Sequence, residues 1–215
     1  MKSRTHSSRI MGEVTIIIPV KDEEVGLEFL LDDYRSSSLK DIHDVTFIFV
    51  IDKRTSDSSK KIASEFSENI IDQEETTGKG SAVRQAIDVW RKNPTQMIVF
   101  LDADGSYSFD SVIKILDSLE EGADLVSGSR FLSGQGRPEG MSRLHNFGNR
   151  VLSAISSVRN RRRISDLCTG LWGFNSQSLM KMDVKSRGFD LEAELAGIAR
   201  RQGLEHIEGQ VDWSQ

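Results

Sequence analysis

Apolar residues recur along this chain in two rhythms. One is the continuous run. Residues 14–20 read Val-Thr-Ile-Ile-Ile-Pro-Val, residues 45–52 read Val-Thr-Phe-Ile-Phe-Val-Ile-Asp, and residues 97–101 read Met-Ile-Val-Phe-Leu. Each predicts a buried β-strand. Ile70-Ile71 forms a short further run, and residues 124–130 form another. Between these runs the spacing changes to three and four. Val25, Leu27, Leu30, Leu31 and Tyr34 follow the acidic start Asp22-Glu23-Glu24, which predicts a helix with negative charge in its first turn. A turn rich in Thr, Ser and Asp caps a second helix over 57–67. Val83, Ala86, Ile87 and Trp90 share one face of a third helix, opened by Gly78-Lys79-Gly80, and a fourth falls near 110–120.

Strands alternating with helices of this length predict an α/β fold with a mainly parallel sheet covered on both faces. Ligands then belong at the carboxyl ends of the strands, where Lys21, Asp52, Asp102 and Asp104 all fall. The second half is less regular. A glycine-rich stretch at 134–140 reads as mobile. A helix near 143–158 follows, then the basic run Arg159-Asn-Arg-Arg-Arg163, a helix near 190–202 and a final edge strand over 207–213. Leu152, Ile155 and Val158 have the spacing of a core-packing face, and the same face beside five residues rich in arginine suits a membrane surface. No internal repeat or low-complexity linker divides the 215 residues, so one domain is expected.

Composition narrows the class. A 37% hydrophobic and 28% charged chain is an ordinary soluble protein, and its net charge of −5 argues against general nucleic-acid binding. Its single cysteine, Cys168, excludes an internal disulfide and fits a reducing cytoplasm. The first dozen residues lack the apolar segment of a signal peptide, and no stretch approaches the ~18 apolar residues of a membrane span. The expectation is a cytoplasmic protein that touches a membrane, if at all, from its cytoplasmic face.

Candidate chemistry concentrates at Asp102-Ala103-Asp104. Side chains along a strand repeat every second residue, so the two carboxylates leave on the same side. Such a hard-oxygen pair suits Mg²⁺ or Mn²⁺ and leaves positions open for substrate phosphates. Backbone amides at the Gly78-Lys79-Gly80 helix start, with Lys79 beside them, favour an anion, although a tight turn before a helix is the commoner use of such a sequence. Glycines at the spacing of a P-loop are absent.

In combination these segments resemble the nucleotide-sugar glycosyltransferases of family 2, GT-A fold, and most closely the dolichyl- or polyprenyl-phosphate mannosyl- and glucosyltransferase branch. The resemblance rests on seven segments in order: Ile17-Ile-Pro-Val-Lys-Asp-Glu-Glu24, Phe49-Val-Ile-Asp-Lys-Arg-Thr-Ser-Asp57, Thr77-Gly-Lys-Gly-Ser-Ala82, Leu101-Asp-Ala-Asp-Gly105, Ser127-Gly-Ser-Arg130, Ile164-Ser-Asp-Leu-Cys-Thr-Gly170 and Gly188-Phe-Asp-Leu-Glu-Ala-Glu-Leu195. It implies a Rossmann-like nucleotide-binding half over about 13–104 and an acceptor half over 105–215. It further implies that Pro19, Lys21, Glu23 and Asp52 line the nucleoside pocket, and that Lys79 and Ala103 lie with them. Asp102 and Asp104 hold the metal on the donor diphosphate. Arg130 and Arg143 meet donor or acceptor phosphate, where guanidinium forks suit bidentate contact. Asp166, Glu192 and Glu194 lie near the sugar and acceptor. Where the family has a second aspartate and a glycine after the second strand, this chain has Lys53 and Arg54, which bring positive charge to the nucleotide or face solvent. Ser106 stands where a glutamine is usual.

The reaction this resemblance implies is metal-dependent, inverting transfer of a hexose from a nucleoside-diphosphate sugar to a polyprenyl phosphate. An anionic phosphate acceptor needs no general base; a hydroxyl acceptor needs one, for which Asp166, Asp190, Glu192 and Glu194 are the candidates, Glu192 first and Asp166 second. A soluble phosphorylated or saccharide acceptor is the alternative within the same fold. A nucleotide-sugar-binding protein without turnover is the alternative outside it.

Overall fold

In the computed structural model, which describes residues 12–74, 78–132, 137–138, 140–188 and 190–213, the first apolar run obeys the two-residue period. Val14, Ile16, Ile18 and Val20 pack on one side of β1 (Glu13–Val20) and Ile17 on the other, all buried. A strand apolar on both faces needs helices on both, and the chain supplies them. In chain order come α1 (Glu24–Ser36), α2 (Leu39–Ile42), β2 (Asp44–Ile51), α3 (Ser59–Phe66), β3 (Ile70–Asp72), α4 (Lys79–Trp90), β4 (Met97–Leu101) and α5 (Phe109–Glu120). Then follow β5 (Leu125–Ser129), α6 (Arg143–Asn160), β6 (Leu171–Asn175), α7 (Ser176–Lys181), α8 (Leu191–Gln202) and β7 (His206–Gln210).

The strands form one seven-stranded sheet in the order β3-β2-β1-β4-β6-β5-β7. β1 is parallel to β2 and β4, β2 to β3, and β5 to β7. β6 is antiparallel to both its neighbours, β4 and β5. α1, α3 and α5 cover one face over an aromatic cluster in which the Tyr34 and Phe47 rings meet edge to face at 4.8 Å. α4, α7 and α8 cover the other, over Trp90, Phe100, Trp172 and Phe174. Truncating a buried ring such as Phe49, fully enclosed here, costs roughly 3–5 kcal/mol.

The expected mainly parallel sheet with helices on both faces is present. β6, α2 and α7 are additions that the pattern of the sequence does not mark: β6 is five residues with glycine at its centre, and the two helices are of four and six residues. The final edge strand is His206–Gln210, shorter than the 207–213 expected, and Trp213 instead bridges Tyr107. The glycine-rich stretch at 134–140 lies largely outside the described residues.

The helix near 143–158 forms, but with its faces reversed. Leu152, Ile155 and Val158 do not pack in the core, the first of the two readings of that face: they are 48%, 60% and 82% exposed. The face of α6 that meets the protein is polar: Asn149, Ser153, Ser156 and Asn160 are buried. Asn149 Oδ1 accepts from the Cys168 amide at 3.1 Å, and Ser153 Oγ accepts from the Leu167 amide at 2.9 Å. Those polar side chains satisfy the backbone of an irregular segment that has no strand partner there, which is why apolar residues are excluded from that face.

At the far edge of the sheet, His206 is buried with its Nε2 2.8 Å from Ser127 Oγ. Burial, aided by the positive charge of Arg162, pushes its pKa down to about 3 from 6.5. The unfolded chain therefore takes up a proton below about pH 6.5 that the folded chain refuses, and the native state loses stability as pH falls from there toward about 3. His206→Gln removes this contribution. Urea midpoints measured between about pH 7 and about pH 4.5 should decline less steeply in the variant than in the parent; parallel declines would show that His206 is not the group responsible.

Candidate active site

The carboxyl ends of β1, β2, β3 and β4 open into a cleft of about 510 Å³. Pro19, Lys21 and Glu23 enter from β1 and the turn after it, Asp52 and Arg54 from the end of β2, Gln73 from the end of β3, and Gly78 and Lys79 from the start of α4. Asp102, Ala103 and Asp104 enter from the end of β4. All three residues line the cleft at this last point, and Ala103 between the two carboxylates is also buried against the core.

Two glycines make this seat possible. A methyl group on Gly170, the residue before β6, would overlap the Asp102 carboxylate. A methyl group on Gly26, in the first turn of α1, would lie 2.5 Å from the Asp104 backbone. The loops following β1 and β2 are tied together as well. The Glu23 amide donates to Ser59 Oγ at 2.9 Å, and the Glu24 amide donates to Asp57 Oδ2 at 2.9 Å.

The cleft is crowded with carboxylates. Burial and then the charges of Asp104 and Asp102 raise the pKa of Glu23. Lys79 answers part of that charge: its Nζ lies 2.6 Å from Asp102 Oδ1 and 3.0 Å from Glu192 Oε1 at the start of α8. Burial alone would push the ammonium down, but Asp102 and Glu192 outweigh it and hold Lys79 above its ordinary range. Asp52 is held by Arg54, which donates from Nε at 2.9 Å and Nη2 at 2.7 Å, and whose amide donates at 2.8 Å. These bonds lower the Asp52 pKa to about 2. Arg54, one of the residues that depart from the family pattern, thus faces the cleft through Asp52.

The helix start at Gly78-Lys79-Gly80 is not an open anion site. The Gly80 and Ser81 amides donate to the Gly188 and Arg187 carbonyls at 3.2 and 3.1 Å, so the loop before α8 already satisfies them. This is the tight turn before a helix, the commoner of the two uses expected of such a sequence.

A second cluster lies beside the cleft. Arg130 donates to Asp166 from Nε at 2.6 Å and Nη2 at 2.8 Å, and Asn149 Nδ2 donates to Asp166 Oδ1 at 2.7 Å. Asp166 is fully buried and Arg130 is 9% exposed. Burial opposes the Arg130 charge, yet its bond to Asp166 raises its pKa above the ordinary value. The guanidinium also lies 5.6 Å from the Trp213 ring.

The model of glycosyl transferase family 2 matches residues 15–183. The chain belongs to that family. It is 30% identical over 191 residues to glycosyltransferase AglJ of Haloferax volcanii, covering 89% of this chain and 59% of that protein. It is 24% identical over 213 residues to the polyprenol monophosphomannose synthase of Mycolicibacterium smegmatis, covering 93% of this chain and 77% of that one. The chain thus spans about three-fifths of AglJ, and 47% of the hexosyltransferase Agl6 of the same archaeon. Among solved structures, glucosyl-3-phosphoglycerate synthase of Mycobacterium tuberculosis in complex with Mn²⁺ and uridine-diphosphate-glucose superimposes with a TM-score of 0.70 at 16% identity, covering 95% of this chain and 72% of that one. The fold is the GT-A fold of that enzyme.

Within this family 2 chain, the residues expected from sequence divide into three groups. Pro19, Lys21, Glu23, Asp52, Lys79, Asp102, Ala103 and Asp104 line one cleft, and Glu192 reaches it through Lys79. Arg130 and Asp166 instead form a closed pair that spends both carboxylate oxygens. Arg143 is exposed at the start of α6, and Glu194 accepts from the Lys185 and Ser186 amides, holding the loop before α8; neither lines the cleft. Gly26, Gly170 and Gln73 were not anticipated. Gln73 is 2% exposed and donates to the Gly78 carbonyl at 3.0 Å; a lone polar residue after a three-residue strand carries no sequence signal.

Among the described residues no group of three or more His, Cys, Asp or Glu forms a cage for a metal. Asp102 and Asp104 fit a different use. A hard cation held by one or two carboxylates completes its shell from substrate phosphates and water. Asp104 Oδ1 accepts from the Ser106 amide at 3.0 Å, which orients its carboxylate at the cleft.

Asp166→Ala leaves the Arg130 charge buried without its partner, and breaking such a pair costs roughly 3–5 kcal/mol. Urea denaturation should register that loss. A variant of unchanged stability with selectively lowered turnover would instead restore Asp166 to the chemistry.

Proposed function

We propose that this chain is a metal-dependent, inverting hexosyltransferase that takes a nucleoside-diphosphate sugar as donor and a polyprenyl phosphate as acceptor. The observation that carries the reading is the convergence of Asp102, Asp104 and Glu23 on one cleft whose negative charge Lys79 only partly offsets. In this reading the nucleoside lies over the ends of β1 and β2, against Pro19, Lys21 and the Asp52–Arg54 pair, with the diphosphate toward β4. A Mg²⁺ or Mn²⁺ ion bound by Asp102 and Asp104 would supply Lewis-acid neutralisation of the leaving diphosphate, worth several kcal/mol.

The remaining work falls to the chain. Asp52, kept ionised by Arg54 at any pH well above about 2, accepts one bond from Arg54 at Oδ2 and keeps a lone pair there for base or ribose. Lys79 sits beside the carboxylate that meets the diphosphate and brings positive charge to it. Arg130 is fixed by Asp166 rather than free to roam, so Asp166 acts as a positioning residue and leaves Glu192 as the base candidate for a hydroxyl acceptor. A phosphate acceptor needs neither.

The lipid acceptor draws support from the polyprenol monophosphomannose synthase above and from a dolichyl-phosphate hexose transferase of Haloferax volcanii, 29% identical over 123 residues. A second reading, transfer to a small phosphorylated acid, draws support from the glucosyl-3-phosphoglycerate synthase structure in complex with phosphoglyceric acid, TM-score 0.70. Both acceptors present a phosphate, so product identity separates them.

Purified chain with Mn²⁺ or Mg²⁺ and a panel of UDP- and GDP-hexoses should release nucleoside diphosphate from one donor, faster when the matching acceptor is present. Asp104→Ala should lower that rate by about 100-fold or more, the equivalent of ~2.7 kcal/mol in the barrier. Absence of release from every donor, with parent and variant alike, would overturn the enzyme reading.

A further inference from the structure

We infer that α6 and the arginine-rich turn that ends it lie in the interface of an anionic membrane, with the helix parallel to the membrane plane. The reversed faces of α6 are the starting observation. Asn149, Ser153, Ser156 and Asn160 turn toward the protein, while Leu144, Phe147, Val151, Ile155 and Val158 turn away from it. The two sets recur at intervals of three and four and occupy opposite sides of the helix. Their exposures run from 42% for Val151 to 82% for Val158. The stripe is about 21 Å long at 1.5 Å per residue over 144–158. A contiguous apolar stripe of that length on a water-facing helix marks an interaction surface.

Charge selects the occupant. Residues 143–163 hold six arginines and no aspartate or glutamate, in a chain whose net charge is −5. Arg143, Arg150, Arg159, Arg161, Arg162 and Arg163 are all exposed. Arg200 of α8 joins them, donating to the Arg159 carbonyl at 2.8 Å. Below this corner a cleft of about 240 Å³ is lined by Arg162, Arg200, Asn160 and His206, with no carboxylate among its described lining residues. Leu/Phe on one face, arginine at its border and end, and no acidic residue describe a helix that sinks its apolar side among acyl chains and places guanidinium groups at headgroup phosphates. A second copy of the chain is the other apolar occupant, but face-to-face pairing of α6 would bring twelve arginines together with no carboxylate from either helix to answer them.

This surface lies outside the donor cleft and is independent of the transfer reaction, so it is read without donor or acceptor. Flotation of the whole chain should show binding to phosphatidylcholine vesicles containing about 30% phosphatidylglycerol and weak binding to phosphatidylcholine alone, with the difference reduced by about 0.5 M salt. The double variants Phe147→Ser/Ile155→Ser and Arg161→Glu/Arg162→Glu, all at exposed positions, should each lower the anionic-vesicle partition coefficient by about tenfold or more while circular dichroism and donor turnover stay at parent values. Failure of the parent to bind, or binding that survives either double substitution, overturns the inference. So does a dimer in sedimentation velocity that Phe147→Ser/Ile155→Ser converts to monomer in a chain that ignores vesicles, because the stripe then belongs to a second copy.

Discussion

The structure depends on holding like charges together at one point. Asp102, Asp104 and Glu23 converge where four strands end, and carboxylates at such range repel one another. Lys79 permits the arrangement by bonding Asp102 and Glu192 at once, which links the end of β4 to α8. The packing around the carboxylates is correspondingly exact about space: Gly26 and Gly170 leave no room for a side chain between them and the pair. The sheet supplies the rigidity, since Asp102 and Asp104 follow directly from β4, at the centre of seven strands.

A different solution to buried charge stands beside it. Arg130 and Asp166 neutralise each other out of water, with Asn149 and the Cys168 carbonyl, 2.7 Å from Arg130 Nη2, taking up remaining hydrogen-bonding capacity. Such a pair is stable only when fully satisfied, because either partner alone would be an unpaired charge in a low-dielectric site. It fixes the irregular segment between α6 and β6, which has little apolar packing of its own and relies instead on the polar inner face of α6. One consequence is that α6 has no use for its apolar residues inside the protein.

Much of the first half of the chain was legible because its elements obey simple periods. The runs at 14–20, 45–52 and 97–101 became β1, β2 and β4 with nearly the expected bounds, and Asp102 and Asp104 follow directly from the last of them. The second half of the chain was less legible for identifiable reasons. β6 is short, contains Gly173 and runs antiparallel, so neither length nor alternation announces it. Leu152, Ile155 and Val158 carry the spacing of a core face, and spacing tells which residues share a side, not whether that side faces the core. Asp166 sits in a segment matching the family pattern, yet only the folded chain shows that Arg130 and Asn149 occupy both its oxygens. Glu192 and Lys79 are 113 residues apart, and no local pattern joins them.

The contact between Gly170 and Asp102 has a mechanical meaning. Gly170 immediately precedes β6, follows the segment that the Arg130–Asp166 pair anchors, and abuts the Asp102 carboxylate that lines the cleft. The Asp102 amide also donates to the Gly170 carbonyl at 3.2 Å, so backbone and side chain are both in register with that strand. Asp102 is therefore seated against the start of β6 by its backbone and its side chain at once. A side chain at position 170 has no room unless that carboxylate moves, so a residue that does not line the cleft bears on the placement of one that does.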